Sequence, residues 1–509
     1  MELTILNKKL EINKKTFLQV KKFVVSLITI YFFAMMILLL IDGQNEIYQT
    51  LKNIQYAKAI FAFAAFMFVV QKVRLFNWQS LVVSLLYSPL GYIWRQSRAF
   101  APDMFNYDRV LVWIVWLLLM IAVDMAVYKK HTPLERFNKG SLAFFALMTT
   151  FLLFFRNGRN YPIVLVLAFM FYLIPMTEGR WKYVVNRMCY GYMAALTVVL
   201  YQSVTEHLEV NSFNGRWYGS FVNIGDFGLF LGGAVAVIFY QLYRIKNTKG
   251  RLSFAYVLWM LALIVTGWAV LRVSTVTCFI GIIFTLIMGV VVIRKKATLK
   301  NTTFRFVAML IFIMIAAVVG FMVLKALTNT DEQYWKTMLR EGNTFLKPLA
   351  NIICRAHYMF NSTETLYGMG IFEPGSIINC VDLFTSGRLS IIKAFSEYFN
   401  IVGNAPMGMQ VGTYFAYTTH NTYSQVIFDY GYVAGGLYLA FLVYATIYSA
   451  VKFIKEKKPV QAFPCIWMAM LLGVLSGESA HFYFPVVTIT FLVVYPVIVK
   501  VEKKEEMVL

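Results

Sequence analysis

The sequence predicts an all-α, polytopic integral membrane protein of about fourteen transmembrane helices, with one large extracytoplasmic loop. Three observations carry this. Of the 509 residues 59% are hydrophobic, only 14% are charged, and mean hydropathy is +0.64, an apolar excess that no soluble core of this size requires. The apolar residues gather in runs of roughly 16 to 22, the length that crosses a bilayer as a helix. Basic clusters then fall in alternate gaps between those runs.

In chain order the runs lie near 23–41, 54–71, 75–93, 109–128, 140–155, 160–175, 183–204, 221–243, 252–270, 274–293, 304–324, 423–450, 462–476 and 484–500. The basic lead Lys8–Lys22 enters the first run with no small-residue cleavage site, so this segment reads as a retained anchor. Eight clusters can all be placed on the face that holds both termini: Lys8–Lys22, Lys72 with Arg74, Lys129–Lys139, Arg180–Arg187, Arg244–Arg251, Arg294–Arg305, Lys452–Lys458 and Lys500–Lys504. The positive-inside rule makes that face cytoplasmic. The rule also absorbs the net charge of +22, so the charge implies no nucleic-acid partner. Four stretches follow: N-terminal spans 1–209, spans with arginine-bearing outer turns 210–324, the outer loop 325–422, and C-terminal spans 423–509.

The outer face differs in kind. Its short loops use arginine rather than lysine: Arg95, Arg98 and Arg109, Arg156 and Arg159 in FRNGRN, Arg216 in NGRWYGSF, and Arg272 in VLRVST. Guanidinium is suited to bidentate grip on phosphate, although each arginine also reads as an interfacial anchor. Arg272 stands out because apolar runs flank it on both sides, close to hydrocarbon depth. Between Lys325 and Thr419 the chain leaves the membrane for a stretch too long to be a passive connector, with interfacial helices expected near 332–340, 346–360 and 388–400. His357, Glu364, Glu373 and Asp382 in this loop have no metal-ligand spacing, and neither a metal nor a cofactor is expected. The five cysteines include no C-x-x-C pair. Cys189, Cys278 and Cys465 read as packing residues. Cys354 and Cys380 share the outer loop, which leaves a disulfide between them open.

The most informative stretch is 386–437, SGRLSIIKAFSEYFNIVGNAPMGMQVGTYFAYTTHNTYSQVIFDYGYVAGGL. Arg388 follows a Ser-Gly turn and opens an amphipathic segment. A loop broken by proline and glycine comes next. His420-Asn421 then stands where the chain re-enters an apolar run punctuated by Gly431, Gly435 and Gly436. A fixed cation and a titratable imidazole beside a membrane span form a pairing fit for acid–base work on a phosphorylated substrate. Taken alone, His420 reads equally as a helix-mouth polar residue and Arg388 as a headgroup anchor.

The order of these pieces resembles the superfamily of O-antigen polymerases and O-antigen ligases, polytopic membrane glycosyltransferases. The resemblance rests on Ser386-Gly387-Arg388, Asn404-Ala405-Pro406-Met407-Gly408, His420-Asn421-Thr422-Tyr423 and the pair Gly431 and Gly435, within residues 210 to 440. Three places depart from the family pattern: Ile392 stands at about the place where its helix after the arginine often carries a Trp, Ile224-Gly225-Asp226 replaces its Pro-Asn after Arg216, and Leu271 and Val273 flank Arg272. The resemblance implies transfer of a glycan from an undecaprenyl-diphosphate carrier to a glycan or lipid-linked acceptor, at the outer face of the bacterial cytoplasmic membrane. It implies membrane lipids as surroundings, and a chain-length regulator and a flippase as partners. It also implies roles: His420 as base, Arg388 and Arg272 as diphosphate or acceptor clamps, and Arg216, Arg156, Arg159, Asn421 and Tyr423 at the substrate. Asp226 or Asp429 would orient the base. A lipid-linked oligosaccharide transporter is the reading from another class, but its charges would line the midplane rather than the outer turns.

Overall fold

Glycines decide where the apolar helices of this chain cross. The computed structural model describes scattered helical positions between 16 and 41, and then residues 137–501 apart from gaps that include 154–160, 173–175, 206–211, 294–297, 342–345, 362–371, 373–375 and 481–483. The spans expected at 54–71, 75–93 and 109–128, together with Arg95, Arg98, Arg109, Arg156 and Arg159, lie outside the described residues.

The described chain is mostly helical. Its helices are α1 (Gly140–Leu153), α2 (Tyr161–Tyr172), α3 (Glu178–Thr205), α4 (Ile224–Thr248), α5 (Phe254–Val273), α6 (Val276–Val291) and α7 (Leu299–Leu327). They continue with α8 (Glu332–Glu341), α9 (Lys347–Asn361), α10 (Ile377–Phe384), α11 (Arg388–Ser396), α12 (Thr422–Glu456), α13 (Ala462–Leu475), α14 (Pro485–Val493) and α15 (Tyr495–Ile498). α4, α5, α7 and α12 are long and apolar enough to cross a membrane; α1, α6 and the run Pro459–Leu475 are apolar but shorter. Two small antiparallel hairpins qualify the all-α expectation: β1 (Ser212–Phe213) with β2 (Arg216–Trp217), and β3 (Met409–Val411) with β4 (Tyr414–Ala416). Cys354 and Cys380 are both free thiols.

The chain divides into two units, one of residues 1–131, 174–198 and 501–509 and the other of 132–173 and 199–500. In the first, Phe33 and Ile37 are buried, as are Val185, Cys189 and Tyr192. Gly191 has no side chain to fend off Phe33, and the Thr29 and Tyr183 hydroxyls lie 3.5 Å apart.

In the second unit α4 is buried on most of its circumference, the expected fate of a helix apolar all round. Gly225, Gly228 and Gly232 recur along it, and a Cβ at each would strike Glu478, Thr275 and Val474 in turn. α6 and α13 meet in the same way, since a Cβ on Gly473 would sit 2.9 Å from the Cα of Gly281. Small residues let backbones touch where lipid supplies no hydrophobic drive, and this crossing brings three chain segments to one end of the bundle. α7 is the opposite case. Its 19 residues 306–324 carry no charge, reach about 28 Å as a helix and match a hydrocarbon core of about 30 Å. None of this apolar stretch is buried, so α7 stands at the periphery.

Two expected spans are corrected. The run 423–450 is not one continuous helix, because Gly431 breaks α12 with φ 89° and ψ 173°. A Cβ on Gly435 would lie 3.1 Å from the Cα of Ile427, although eight helical residues would separate two positions by about 12 Å. The half-helix 422–430 therefore folds back against 432–456. The freed backbone groups are taken by the loop 400–404: Asn404 donates to the Phe428 carbonyl through its backbone N–H (2.8 Å) and its side-chain amide (3.0 Å), and the Tyr432 N–H donates to Asn400 (2.9 Å). That loop also corrects the helix expected over 388–400, which ends at Ser396. The run 484–500 is likewise two short helices, α14 and α15, and Pro496 near the start of the second brings no N–H to continue the ladder.

Candidate functional site

The folded-back half of α12 carries His420 to the turn that follows α13. Its mouth is pinned on both sides of the histidine. The Thr419 N–H donates to Gln425 Oε1 at 2.8 Å, and the Asn421 side chain caps the helix by accepting from the Ser424 N–H at 3.0 Å. Asn421 Nδ2 also donates to the Ser476 carbonyl (2.7 Å), and the Tyr423 hydroxyl donates to the Leu472 carbonyl (2.9 Å). Asn421 and Tyr423, expected at the substrate, thus tie the half-helix to α13. His420 itself is left-handed, φ 49°, a conformation that histidine tolerates better than most residues.

Arg388 arrives from the other side. Gly387 takes φ 80°, which a glycine adopts without strain, but it has no side chain to cap α11. Asp382 of α10 supplies the cap instead: its carboxylate accepts from the Ser390 N–H (2.9 Å) and from the Ser390 hydroxyl (2.5 Å). The first residue of α11 is thereby fixed in place, and that residue is Arg388.

The two meet on Glu478. His420 Nδ1 is 3.2 Å from Glu478 Oε1, and Arg388 Nη2 donates to Glu478 Oε2 at 3.1 Å. Arg388 Nη1 reaches Thr277 Oγ1 at 3.4 Å, and that hydroxyl donates to the Gly477 carbonyl at 3.0 Å. The glutamate side chain is 4% exposed, whereas His420 and Arg388 are each 25% exposed. A buried carboxylate therefore holds two groups that still reach the surface. Its own backbone is anchored, with the Thr422 hydroxyl donating to its carbonyl at 2.6 Å. Gly225 and Gly477 make the room, since a Cβ on the first would strike Glu478 and on the second Thr277.

Burial pushes the Glu478 carboxyl upward. The His420 hydrogen bond, the Arg388 charge and the Ser479 N–H outweigh it and hold the group below the ordinary carboxylate value. An ionised carboxylate only accepts hydrogen bonds, so His420 Nδ1 carries the proton of this contact. In a neutral ring Nε2 is then the free base.

The remaining expected residues are placed as follows. Arg272 is buried in the last turn of α5, five residues before Thr277. Arg216 lies in β2, paired with Phe213, and its neighbour Trp217 packs on Trp268 of α5 at 5.3 Å and on Phe227 of α4 at 5.5 Å. Asp226 is in the first turn of α4. Asp429, the other acid considered as an orienter, accepts from Gln425 Nε2 at 3.0 Å, and Glu478 occupies the orienting place beside His420. Among the described residues no three His, Cys, Asp or Glu side chains converge to hold a metal ion. Sequence reasoning passed over Glu478 although a signal was present: it is the one carboxylate between Pro459 and Val499. An ionisable group isolated among apolar runs is a functional candidate.

Comparison of the chain with protein-family models, with characterised proteins and with solved structures finds no match.

Proposed function

We propose that the protein is an inverting, metal-independent membrane glycosyltransferase that moves a glycan from an undecaprenyl-diphosphate carrier to an acceptor hydroxyl. It would act at the outer face of the bacterial cytoplasmic membrane, on a scaffold of about fourteen spans with residues 325–419 outside and both termini inside. The observation that carries this reading is the joining of His420 and Arg388 through one buried carboxylate. The chemistry needs little else. The acceptor oxygen attacks the anomeric carbon as its proton passes to His420 Nε2, and the bond from that carbon to the diphosphate oxygen breaks. The diphosphate leaves with the electron pair, and the anomeric centre inverts. Glu478 holds the ring in the productive tautomer and offsets the imidazolium that forms, the role of the third member in nucleophile–base–acid arrangements. Diphosphate is a good leaving group, and fixed cations stabilise its growing charge.

Glu478 also neutralises Arg388, so one guanidinium cannot balance a diphosphate alone. Arg272 and Arg216 are the further cations this reading assigns to that task, with Arg156 and Arg159 at the glycan or headgroup. Polymerase and ligase share these steps and differ only in acceptor; the reading favours the polymerase, with a second lipid-linked repeat as acceptor. The test is conversion of a purified lipid-linked repeat unit by the protein alone in proteoliposomes. A ladder of longer lipid-linked glycans, abolished in His420→Ala at normal accumulation, is expected. Unchanged turnover in both His420→Ala and His420→Gln would overturn the base assignment, and no transfer to any glycan or lipid acceptor would overturn the activity.

A further inference from the structure

α10 is built inside out for an element in water. Ile377, Ile378 and Val381 are 72%, 54% and 42% exposed, while Asn379 and Asp382 are 2% and 1% exposed. The buried acid is satisfied by Ser390, so Asn379 and Asp382 face the protein beside Cys380 and Leu383, while the face turned outward carries only apolar side chains among its exposed residues. Apolar-out, polar-in is the order that hydrocarbon selects.

The depth of α10 follows from its neighbours. Cys380 and Leu383 form a small core with Met359 of α9, and Phe321 of α7 packs against it. Phe321 stacks edge-on with Phe360 of α9, with ring centroids 4.9 Å apart. Lys325 ends the uncharged stretch of α7 and marks the boundary of the hydrocarbon, where a long cationic side chain reaches for water. Phe321 lies four residues, about 6 Å, inside that boundary. Beyond it, Tyr334 and Trp335 open α8, the residue types that settle at headgroup level. The buried side of α10 thus packs at the level of Phe321, about one turn inside the bilayer edge, and its Ile377, Ile378 and Val381 face away from the protein at that depth.

We infer that α10 is an in-plane membrane helix whose Ile377, Ile378 and Val381 are embedded in the acyl chains of the bilayer. At eight residues it reaches only about 12 Å and cannot span. Its consequence is positional. Asp382 caps α11, so a helix seated in lipid fixes the backbone from which Arg388 projects, and the Arg388–Glu478–His420 cluster opens at the lipid surface rather than above it. This inference does not depend on glycosyl transfer.

The test is collision accessibility of nitroxide spin labels in proteoliposomes of phosphatidylethanolamine and phosphatidylglycerol. Labels are placed singly at Ile377→Cys, Ile378→Cys and Val381→Cys, on a Cys354→Ser background because the other native cysteines are buried. Exposed Asn329 beyond the end of α7, as Asn329→Cys, is the aqueous control. Lipid-soluble oxygen is expected to reach the α10 labels more often than a water-soluble nickel chelate does, with the order reversed at Asn329. Chelate access at Ile378 equal to that at Asn329 would place α10 in water and overturn the inference. Low access to both reagents would mean that protein covers this face, and would overturn it equally. Collision rates do not require activity, so an inactive protein leaves the test intact.

Discussion

Glu478→Gln isolates the charge of the buried carboxylate from its shape. The isosteric change matters because the Glu478 carboxylate packs against Gly225, where even a Cβ would strike it. Glutamine can still accept from Arg388 or His420 but no longer offsets the imidazolium, and its amide can face His420 with a donor and select the wrong tautomer. In the proposed mechanism Glu478 acts on the reaction through His420, so its loss should be bounded by the worth of a positioned base, about two to four decades of rate. That corresponds to roughly 3–5 kcal/mol of barrier. The assay is single-turnover glycan transfer with purified donor in proteoliposomes, alongside donor binding. Groups that act as a unit are non-additive, so Glu478→Gln combined with His420→Ala should be little worse than His420→Ala alone. Fully additive costs, or wild-type transfer in Glu478→Gln at normal accumulation, would refute the coupling of the two residues.

Four further outcomes are expected. Arg388→Lys keeps the charge but presents it from one point and forfeits a bond to Glu478 or Thr277, each worth about 1.5–3 kcal/mol, so turnover should fall roughly 10- to 100-fold; full activity would reduce Arg388 to a lipid anchor. Glu478 has a depressed folded value, so its stabilisation is complete above the ordinary value of 4.5 and drains away as pH falls through the folded one. The gap in thermal midpoint between wild type and Glu478→Gln should therefore close on acidification below pH 4.5, and a gap that widens there would contradict the ion pair. Transfer from purified donor should survive excess chelator, and strict magnesium or manganese dependence would show that a cation site has been overlooked. Gly431→Ala should sharply lower the yield of folded protein, through backbone strain of about 1–3 kcal/mol and a clash with the Ile401 carbonyl. Gly436→Ala, with open space around it, should be tolerated.

The parts of this molecule legible in its sequence are those that depend on local composition. Among the described residues, apolar runs became helices because each satisfies its own backbone hydrogen bonds, and Gly387-Arg388 became a helix start because glycine takes the left-handed turn without strain. What stayed hidden depends on contacts between distant segments. Gly431 and Gly435 stood out as punctuation, but nothing local says that one reverses the helix and the other lets Ile427 return against it. Asn404 reads in the sequence as a loop residue, yet its work is to satisfy the carbonyl that the reversal exposes. Glu478 lies 58 residues beyond His420, a partner visible only once α4, α6 and α13 cross on their glycines.

That crossing also explains why the break in α12 belongs to the site. A straight helix of 35 residues would extend about 52 Å, well past a hydrocarbon core of about 30 Å, and would carry His420 away from the bundle. Folding back at Gly431 returns the histidine to the end of α13, where Leu472 and Ser476 receive its neighbours and Glu478 receives the ring. The reversal leaves the Phe428 carbonyl and the Tyr432 N–H without helical partners, and the loop 400–404 satisfies both. The loop 400–404, the glycine pair and the histidine are therefore one device. The loop holds the break, the break aims the half-helix, and the half-helix sets His420 on the carboxylate shared with Arg388.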